Sequence, residues 1–95
     1  MLKIRYSVRA KRELFSLLEY LVRDFGTKKA DEVFTRLDKT LKTIASNPTI
    51  YPASVRRKGL RRYVFSKQTT VYYQVKEDVL VIISLRPNRK NPNKF

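Results

Sequence analysis

The chain has 95 residues, the size of one compact domain, and 42% of them are hydrophobic, which is enough for a folded core. It carries 22 Lys and Arg residues against 8 Asp and Glu residues, a net charge of +14, so we expect an anionic partner such as nucleic acid, an acidic protein or an anionic membrane surface. Cys and His are absent, which excludes disulfides, thiolate metal sites and any mechanism that needs a catalytic histidine.

The positive charge is concentrated in the second half of the chain. Residues 1–38 hold nine basic and six acidic side chains, a net of +3, whereas residues 39–95 hold thirteen basic and two acidic ones, a net of +11. No stretch approaches the ~20 apolar residues of a membrane span, and the N-terminus has no apolar signal region. A cytoplasmic location without membrane association is therefore expected.

The first predicted elements are a strand and a helix. Residues 2–6 alternate between apolar and basic side chains, which predicts a half-buried strand. Ser7 is a favourable N-cap, and a wide apolar stripe at helical spacing follows it. The stripe consists of Ala10, Leu14, Leu17, Leu18, Leu21, Val22 and Phe25. Gly26 is suited to end this helix.

A second helix is predicted directly after the first, with Thr27 as its cap. Its apolar stripe consists of Ala30, Val33, Phe34, Leu37, Leu41, Ile44 and Ala45. Asn47-Pro48 ends it, because the residue before a proline disfavours the helical conformation. Residues 7–46 are therefore predicted to form an antiparallel helical hairpin.

The second half of the chain predicts strands. After a loop at residues 47–59, three strands are predicted at residues 60–66, 69–76 and 79–86. The last one opens with an apolar run at residues 79–83, which indicates a central strand covered on both faces. Glu77-Asp78 is predicted to be the turn before it. Residues 87–95 hold two prolines and three asparagines and predict an irregular basic tail.

These elements predict one α+β domain over residues 1–95. Its element order is β-α-α-β-β-β, with the helical hairpin packed on one face of a small antiparallel sheet. The acidic residues form no convincing pair: Asp31 and Glu32 are predicted on a helix surface, and Glu77-Asp78 in a turn. No metal site and no cofactor are therefore expected.

Two basic clusters are candidate binding sites for the anionic partner. The first lies around Gly59, which permits a backbone turn, and consists of Arg56, Arg57, Lys58, Arg61 and Arg62. The second follows the last strand and consists of Arg86, Arg89 and Lys90. Arginine offers a planar fork for phosphate oxygens and lysine a point charge. The alternative is that both clusters are solvated surface charge.

Three tyrosines lie among the basic residues of the predicted strands. Tyr63, Tyr72 and Tyr73 could stack on nucleic-acid bases, but tyrosine in a strand more often packs in the core. Tyr72 and Tyr73 are adjacent and must face opposite sides of the sheet, so at most one of them is in the core.

The chain resembles the RelE/ParE superfamily of toxins through several short segments in a fixed order. In the first half, these are Ser-Val-Arg-Ala at 7–10, Phe25-Gly26, and Ile-Ala-Ser-Asn-Pro at 44–48. In the second half, they are Gly-Leu-Arg-Arg-Tyr-Val at 59–64, Val-Tyr-Tyr-Gln-Val at 71–75, Ile82-Ile83, and Arg-Lys-Asn-Pro at 89–92. The resemblance implies the toxin of a type II toxin–antitoxin system, silenced by a cognate acidic antitoxin.

The resemblance leaves two targets open. ParE-like members inhibit DNA gyrase without cutting anything, whereas RelE-like members are enzymes that cut mRNA on the ribosome. In the RelE-like case, Lys58, Arg61 and Arg89 are the nearest equivalents of catalytic residues. RelE-like enzymes typically carry a functional tyrosine near the C-terminus, and no tyrosine follows Tyr73 here, which favours gyrase. A non-catalytic nucleic-acid-binding module is a further alternative.

Overall fold

The computed structural model describes residues 1–53 and 59–87, which form two helices and four strands. The elements are β1 (Lys3–Tyr6), α1 (Val8–Phe25), α2 (Thr27–Ser46), β2 (Arg61–Val64), β3 (Thr69–Lys76) and β4 (Val79–Pro87). The predicted α+β class and the β-α-α-β-β-β order are therefore confirmed. The predicted basic tail lies, from residue 88 onward, outside the described residues.

Single residues fix both ends of α1. The Ser7 hydroxyl accepts a hydrogen bond from the Ala10 N–H at 2.9 Å and donates one to the Ile83 carbonyl at 2.8 Å, so it caps the helix and ties it to β4. Gly26, at φ +94°, separates the two helices. The prediction that Thr27 caps α2 is wrong, because the positive φ of Gly26 reverses the chain in one residue and Thr27 is already helical.

The sheet has the strand order β1-β4-β3-β2 and is mixed. The β2–β3 and β3–β4 pairs are antiparallel, as predicted. The β1–β4 pair is parallel, which the prediction of an antiparallel sheet did not include. The alternating pattern of a four-residue strand specifies its buried face but not its neighbour or direction.

The core lies between the helical hairpin and one face of the sheet. It comprises Ala10, Leu14, Leu21, Ala30, Val33, Leu37, Leu41, Ile44, Ala45, Phe65, Val71, Tyr73, Leu80, Ile82 and Leu85. Strand β4 is central, and Val81 is only 4% exposed although its side chain lies on the face away from this core. The central position of β4 is as predicted, whereas the helices cover only one of its two faces. Tyr73 is fully buried and Tyr72 only partly, also as predicted.

Strand β4 carries a β-bulge opposite the tyrosine pair. Tyr73 pairs with Ile82 and Tyr72 pairs with Ser84, so Ile83 has no partner on β3. Because one extra residue shifts the alternation of side chains, Leu85 lies opposite Val71 on the core face. Arg86, one residue further, lies on the opposite face of the sheet.

The fold should lose stability at alkaline pH through Tyr6. Burial, and to a smaller extent the negative charge of Asp38, raises the pKa of Tyr6 from 10.0 to about 12. The associated stability is complete below about pH 10 and is lost as the pH rises towards about 12, because only the unfolded chain ionises readily in that window. Urea unfolding of wild type and Tyr6→Phe at about pH 8 and about pH 11 should show a smaller alkaline loss in the variant. An equal loss in both proteins would contradict this assignment.

Candidate functional site

The face of the sheet turned away from the helices is strongly basic. The strand register places these side chains on it, and we refer to them as the outer sheet face: Lys3, Arg5, Arg62, Val64, Thr70, Tyr72, Gln74, Lys76, Val79, Val81 and Arg86. Ser84 at the bulge is not included, although it pairs with Tyr72, because its hydroxyl donates to the Glu13 carboxylate on α1. Five of these residues are cations, and none is a carboxylate or a histidine. This surface is suited to binding an anionic partner.

The outer sheet face has a polar centre on β3 with arginines on both sides of it. Strand β3 supplies the centre, and within it Tyr72 is paired with Arg62 on β2. Arg86 on β4 lies opposite Thr70 on β3. Arg5 on β1 aligns with Val81, one strand further from the centre. At about 4.8 Å between neighbouring strands, the arginines extend over the full width of the sheet, roughly 14 Å.

The charges of the outer sheet face are not neutralised within residues 1–53 and 59–87. The ion pairs in these segments are Arg9–Glu13, Arg23–Asp24 and Lys42–Asp38, all on the helices. Within these segments, no carboxylate is therefore paired with a cation of the outer sheet face. Arginine can place its fork of N–H groups on a phosphate or a carboxylate.

Arg61 and Arg62, neighbours in the sequence, lie on opposite sides of the sheet. Arg61 pairs with Tyr73 on the core side, where its guanidinium Nη1 donates to the Tyr51 carbonyl at 2.7 Å. The Tyr51 ring packs against Tyr63 with 4.6 Å between ring centroids. Arg61 thus ties the segment before β2 to the sheet, away from Arg62 and Arg86.

The charge of Arg61 also acts on a buried hydroxyl. Burial raises the pKa of Tyr73, and the positive charge of Arg61 opposes that shift. The Tyr73 hydroxyl has no hydrogen-bond partner among the described residues. Within the described residues, Arg61 is therefore a partly buried contact on the core side of the sheet, separate from the cations of the outer sheet face.

Part of the predicted site lies outside the described residues. This applies to Arg56, Arg57, Lys58, Arg89 and Lys90. Gly59 is described and has a φ of +80°, as expected for a backbone turn. Of the predicted site residues, the structure therefore brings Arg62 and Arg86 to one face and places Arg61 on the other. No group of three or more acidic residues suited to a metal occurs within the described segments.

Sequence reasoning missed the basic residues that come from outside the two clusters. Lys3 and Arg5 were recognised as the polar side of a strand, but that pattern does not reveal that β1 adjoins β4. Lys76, at the end of β3, is separated in the sequence from both basic clusters and was not considered a candidate. Glu13 was not singled out at all, and the only signal was its position on a polar side of α1.

Comparison with solved structures finds this fold in bacterial toxin–antitoxin systems. The chromosomal ParDE toxin–antitoxin system of P. aeruginosa matches with a TM-score of 0.75 and 16% identity, over 92% of this chain and 96% of that chain. A YoeB/ParE toxin from Agrobacterium tumefaciens matches with a TM-score of 0.64 and 12% identity, over 90% and 96%. A heterotetrameric YoeB–YefM toxin–antitoxin complex from Staphylococcus aureus gives 0.60 and 16%, over 90% and 95%.

By fold, then, the chain has the architecture of the small toxins found in these systems. Comparison of its sequence with curated proteins gives no significant match. The family model for the ParE toxin of the type II toxin–antitoxin system, parDE, matches residues 4–92, which is nearly the whole chain. The chain therefore belongs to the ParE toxin family.

Proposed function

We propose that this ParE-family toxin arrests bacterial growth by inhibiting DNA gyrase. The observation that carries the proposal is the composition of the outer sheet face. It offers arginines and lysines for an anionic surface, but neither a carboxylate nor an imidazole to accept a proton. Bond cleavage at neutral pH is helped by a general base close to the reacting atom, whereas inhibition by binding needs none. The outer sheet face therefore supports a binding function.

Binding alone is sufficient for this mode of inhibition. Arg62 lies beside Tyr72 and Arg86 beside Thr70, two residues away on the same strand. The two arginines can therefore hold two anionic groups of the gyrase–DNA complex. The net charge of +14 raises the rate of encounter with such a target and makes that rate depend on salt. No chemical step on the toxin is required.

Ribosome-dependent mRNA cleavage is the second candidate, and Tyr72 is the observation that favours it. This tyrosine lies in the centre of the outer sheet face, next to Arg62 in the β2–β3 register. A ring among cations can stack on a base while the cations hold phosphates. The same surface could therefore bind a single-stranded message, in which case the site would require Tyr72 as well as the arginines.

Two assays run in parallel separate the targets. We expect the purified protein to inhibit supercoiling by DNA gyrase, and induction in cells to cause DNA damage signalling while messages stay intact. Mapping of message ends on translating ribosomes should show no new cleavage sites. Codon-positioned cuts together with unaffected gyrase would overturn the gyrase proposal in favour of mRNA cleavage.

We also propose that a cognate acidic antitoxin docks on an exposed apolar stripe of α1. The α1 stripe comprises the exposed Val8, Phe15, Val22 and Phe25 and the half-buried Leu18 between them. Phe15 is 62% exposed and Val22 is 47% exposed, and a shallow depression runs between them. Residues at this spacing form a continuous strip that an amphipathic helix can cover. A second copy of this cationic chain would be repelled, whereas an acidic partner is attracted.

The cytoplasm is the proposed location, because gyrase, ribosomes and a co-expressed antitoxin are all found there. Within the parts of the chain that the structure describes, neither helix combines the length and the apolar character needed to cross a membrane.

A further inference from the structure

Glu13 on α1 reaches across to the irregular part of β4. One of its carboxylate oxygens accepts two hydrogen bonds, from the Ser84 hydroxyl at 2.9 Å and from the Leu85 backbone N–H at 3.1 Å. The other oxygen lies 3.6 Å from the Arg9 guanidinium Nε. Ser84 is only 1% exposed, so the carboxylate satisfies polar groups that water does not reach freely.

These hydrogen bonds lie at the β-bulge. Ser84 and Leu85 directly follow Ile83, the residue without a partner on β3. A bulge interrupts the ladder of backbone hydrogen bonds and leaves groups that need another partner. The Leu85 N–H finds its acceptor in Glu13, which comes from a different element of the fold. Glu13 therefore stabilises the bulged form of β4.

The bulge determines which face of the sheet carries Arg86. Without the bulge, Ile82 would still lie opposite Tyr73, but each later residue of β4 would pair with a residue one position nearer the start of β3 than it does now. Arg86 would then lie opposite Thr69, on the core side, and Leu85 would point outward. With the bulge, Arg86 lies opposite Thr70 on the outer sheet face.

We propose that Glu13 is a positioning residue for the outer sheet face: by holding the bulge, it keeps Arg86 on the same side as Arg62. The inference deepens the proposed function, since it concerns the surface that meets the target. Glu13 lies on the helix side and does not belong to that surface. Its effect on binding must therefore pass through β4.

The sign of the charge effect makes this inference testable. Removal of a negative charge from a basic protein strengthens binding to a polyanion by electrostatics alone. If Glu13 positions Arg86, Glu13→Ala should instead weaken binding to a fluorescent single-stranded DNA oligonucleotide. The loss should equal that of Arg86→Ala, roughly 3- to 10-fold for one phosphate contact. The control Glu32→Ala removes the same charge from an exposed site on α2 and should bind equally well or slightly more tightly.

Three further variants separate positioning from general destabilisation. Glu13→Gln keeps an oxygen acceptor and should bind at least as tightly as wild type. The double variant Glu13→Ala/Arg86→Ala should bind no more weakly than Arg86→Ala alone, because the contact that Glu13 controls is already gone. If Glu13→Ala does not fold, Glu13→Asp replaces it, since the shorter side chain keeps the charge but retracts the acceptor. We expect it to weaken binding.

Hydrogen exchange supplies a readout of the bulge that does not depend on a target. The Leu85 amide should exchange faster in Glu13→Ala than in wild type, and Glu13→Gln should retain protection. The inference is overturned if Glu13→Ala, or Glu13→Asp in its place, binds the oligonucleotide as tightly as Glu32→Ala, or if the double variant loses more than Arg86→Ala. Should the protein fail to inhibit gyrase while this coupling is observed, the proposed target is wrong and the role of Glu13 stands.

Discussion

Replacing both Arg62 and Arg86 with alanine should abolish growth arrest while the protein remains folded. Both side chains lie on the outer sheet face, and neither takes part in an ion pair within residues 1–53 and 59–87. A hydrogen bond to a charged group contributes about 1.5–3 kcal/mol. Loss of two such contacts should therefore lower the affinity for the target about a hundredfold or more. Supercoiling inhibition and colony formation after induction measure the effect, and circular dichroism checks the fold.

A matched control separates these positions from the total charge of the chain. Lys28→Ala/Lys39→Ala removes the same two charges from exposed positions on α2. We expect this control to keep most of its activity and to show only a weaker dependence of binding on salt. An equal loss in the control would show that net charge, and not the outer sheet face, is responsible. Full activity of the arginine variant would exclude that face as the target-binding site.

Arg61→Ala should behave differently from the Arg62/Arg86 variant. Its guanidinium is bound to the Tyr51 carbonyl and lies on the core side of the sheet. We therefore expect a lower melting temperature with a largely unchanged affinity per folded molecule. If Arg61 is instead catalytic, as the resemblance implies in the RelE-like case, the opposite result is expected: intact stability and a lost activity.

The helices and most strands were predictable from the sequence because their patterns are local. Helical spacing, Ser7 and the Asn47-Pro48 step predicted the hairpin, and the apolar run after Asp78 predicted a central strand. The start of α2 was not predicted correctly, because the conformation of Gly26 decides it. In each case where prediction succeeded, the pattern and the structure it specifies lie within one element.

The site was less predictable because it is assembled from distant parts of the chain. Arg62 and Arg86 were recognised as candidates from the sequence. The pairing of β1 with β4, which adds Arg5 to the same face, cannot be predicted from the sequence of either strand. The bulge in β4 was also invisible, since the continuous apolar run at residues 79–83 has no alternation that an extra residue could interrupt. Glu13 had no visible role until α1 was placed against that bulge.

Aspartate at both Phe15 and Val22 should prevent the antitoxin from silencing the toxin. Both side chains are exposed on the α1 stripe, so replacement costs little folding stability. In the complex, however, burial of a Phe or Val side chain contributes about 1.5–3 kcal/mol each. The introduced carboxylates would in addition repel an acidic partner and be buried against it. We therefore expect the affinity for the antitoxin to fall by a factor of at least about a hundred.

Growth after co-expression measures this effect directly. The double variant should still arrest growth, because the outer sheet face lies across the core from the α1 stripe, but the product of the neighbouring gene should no longer restore growth or co-purify with it. Thr35→Asp/Thr43→Asp adds the same charge at exposed positions of α2 and should still be silenced. If the antitoxin silences the Phe15/Val22 variant as effectively as it silences wild type, it docks elsewhere. The open edge of β1 is then the next surface to test, because a sheet edge offers backbone groups to an added strand.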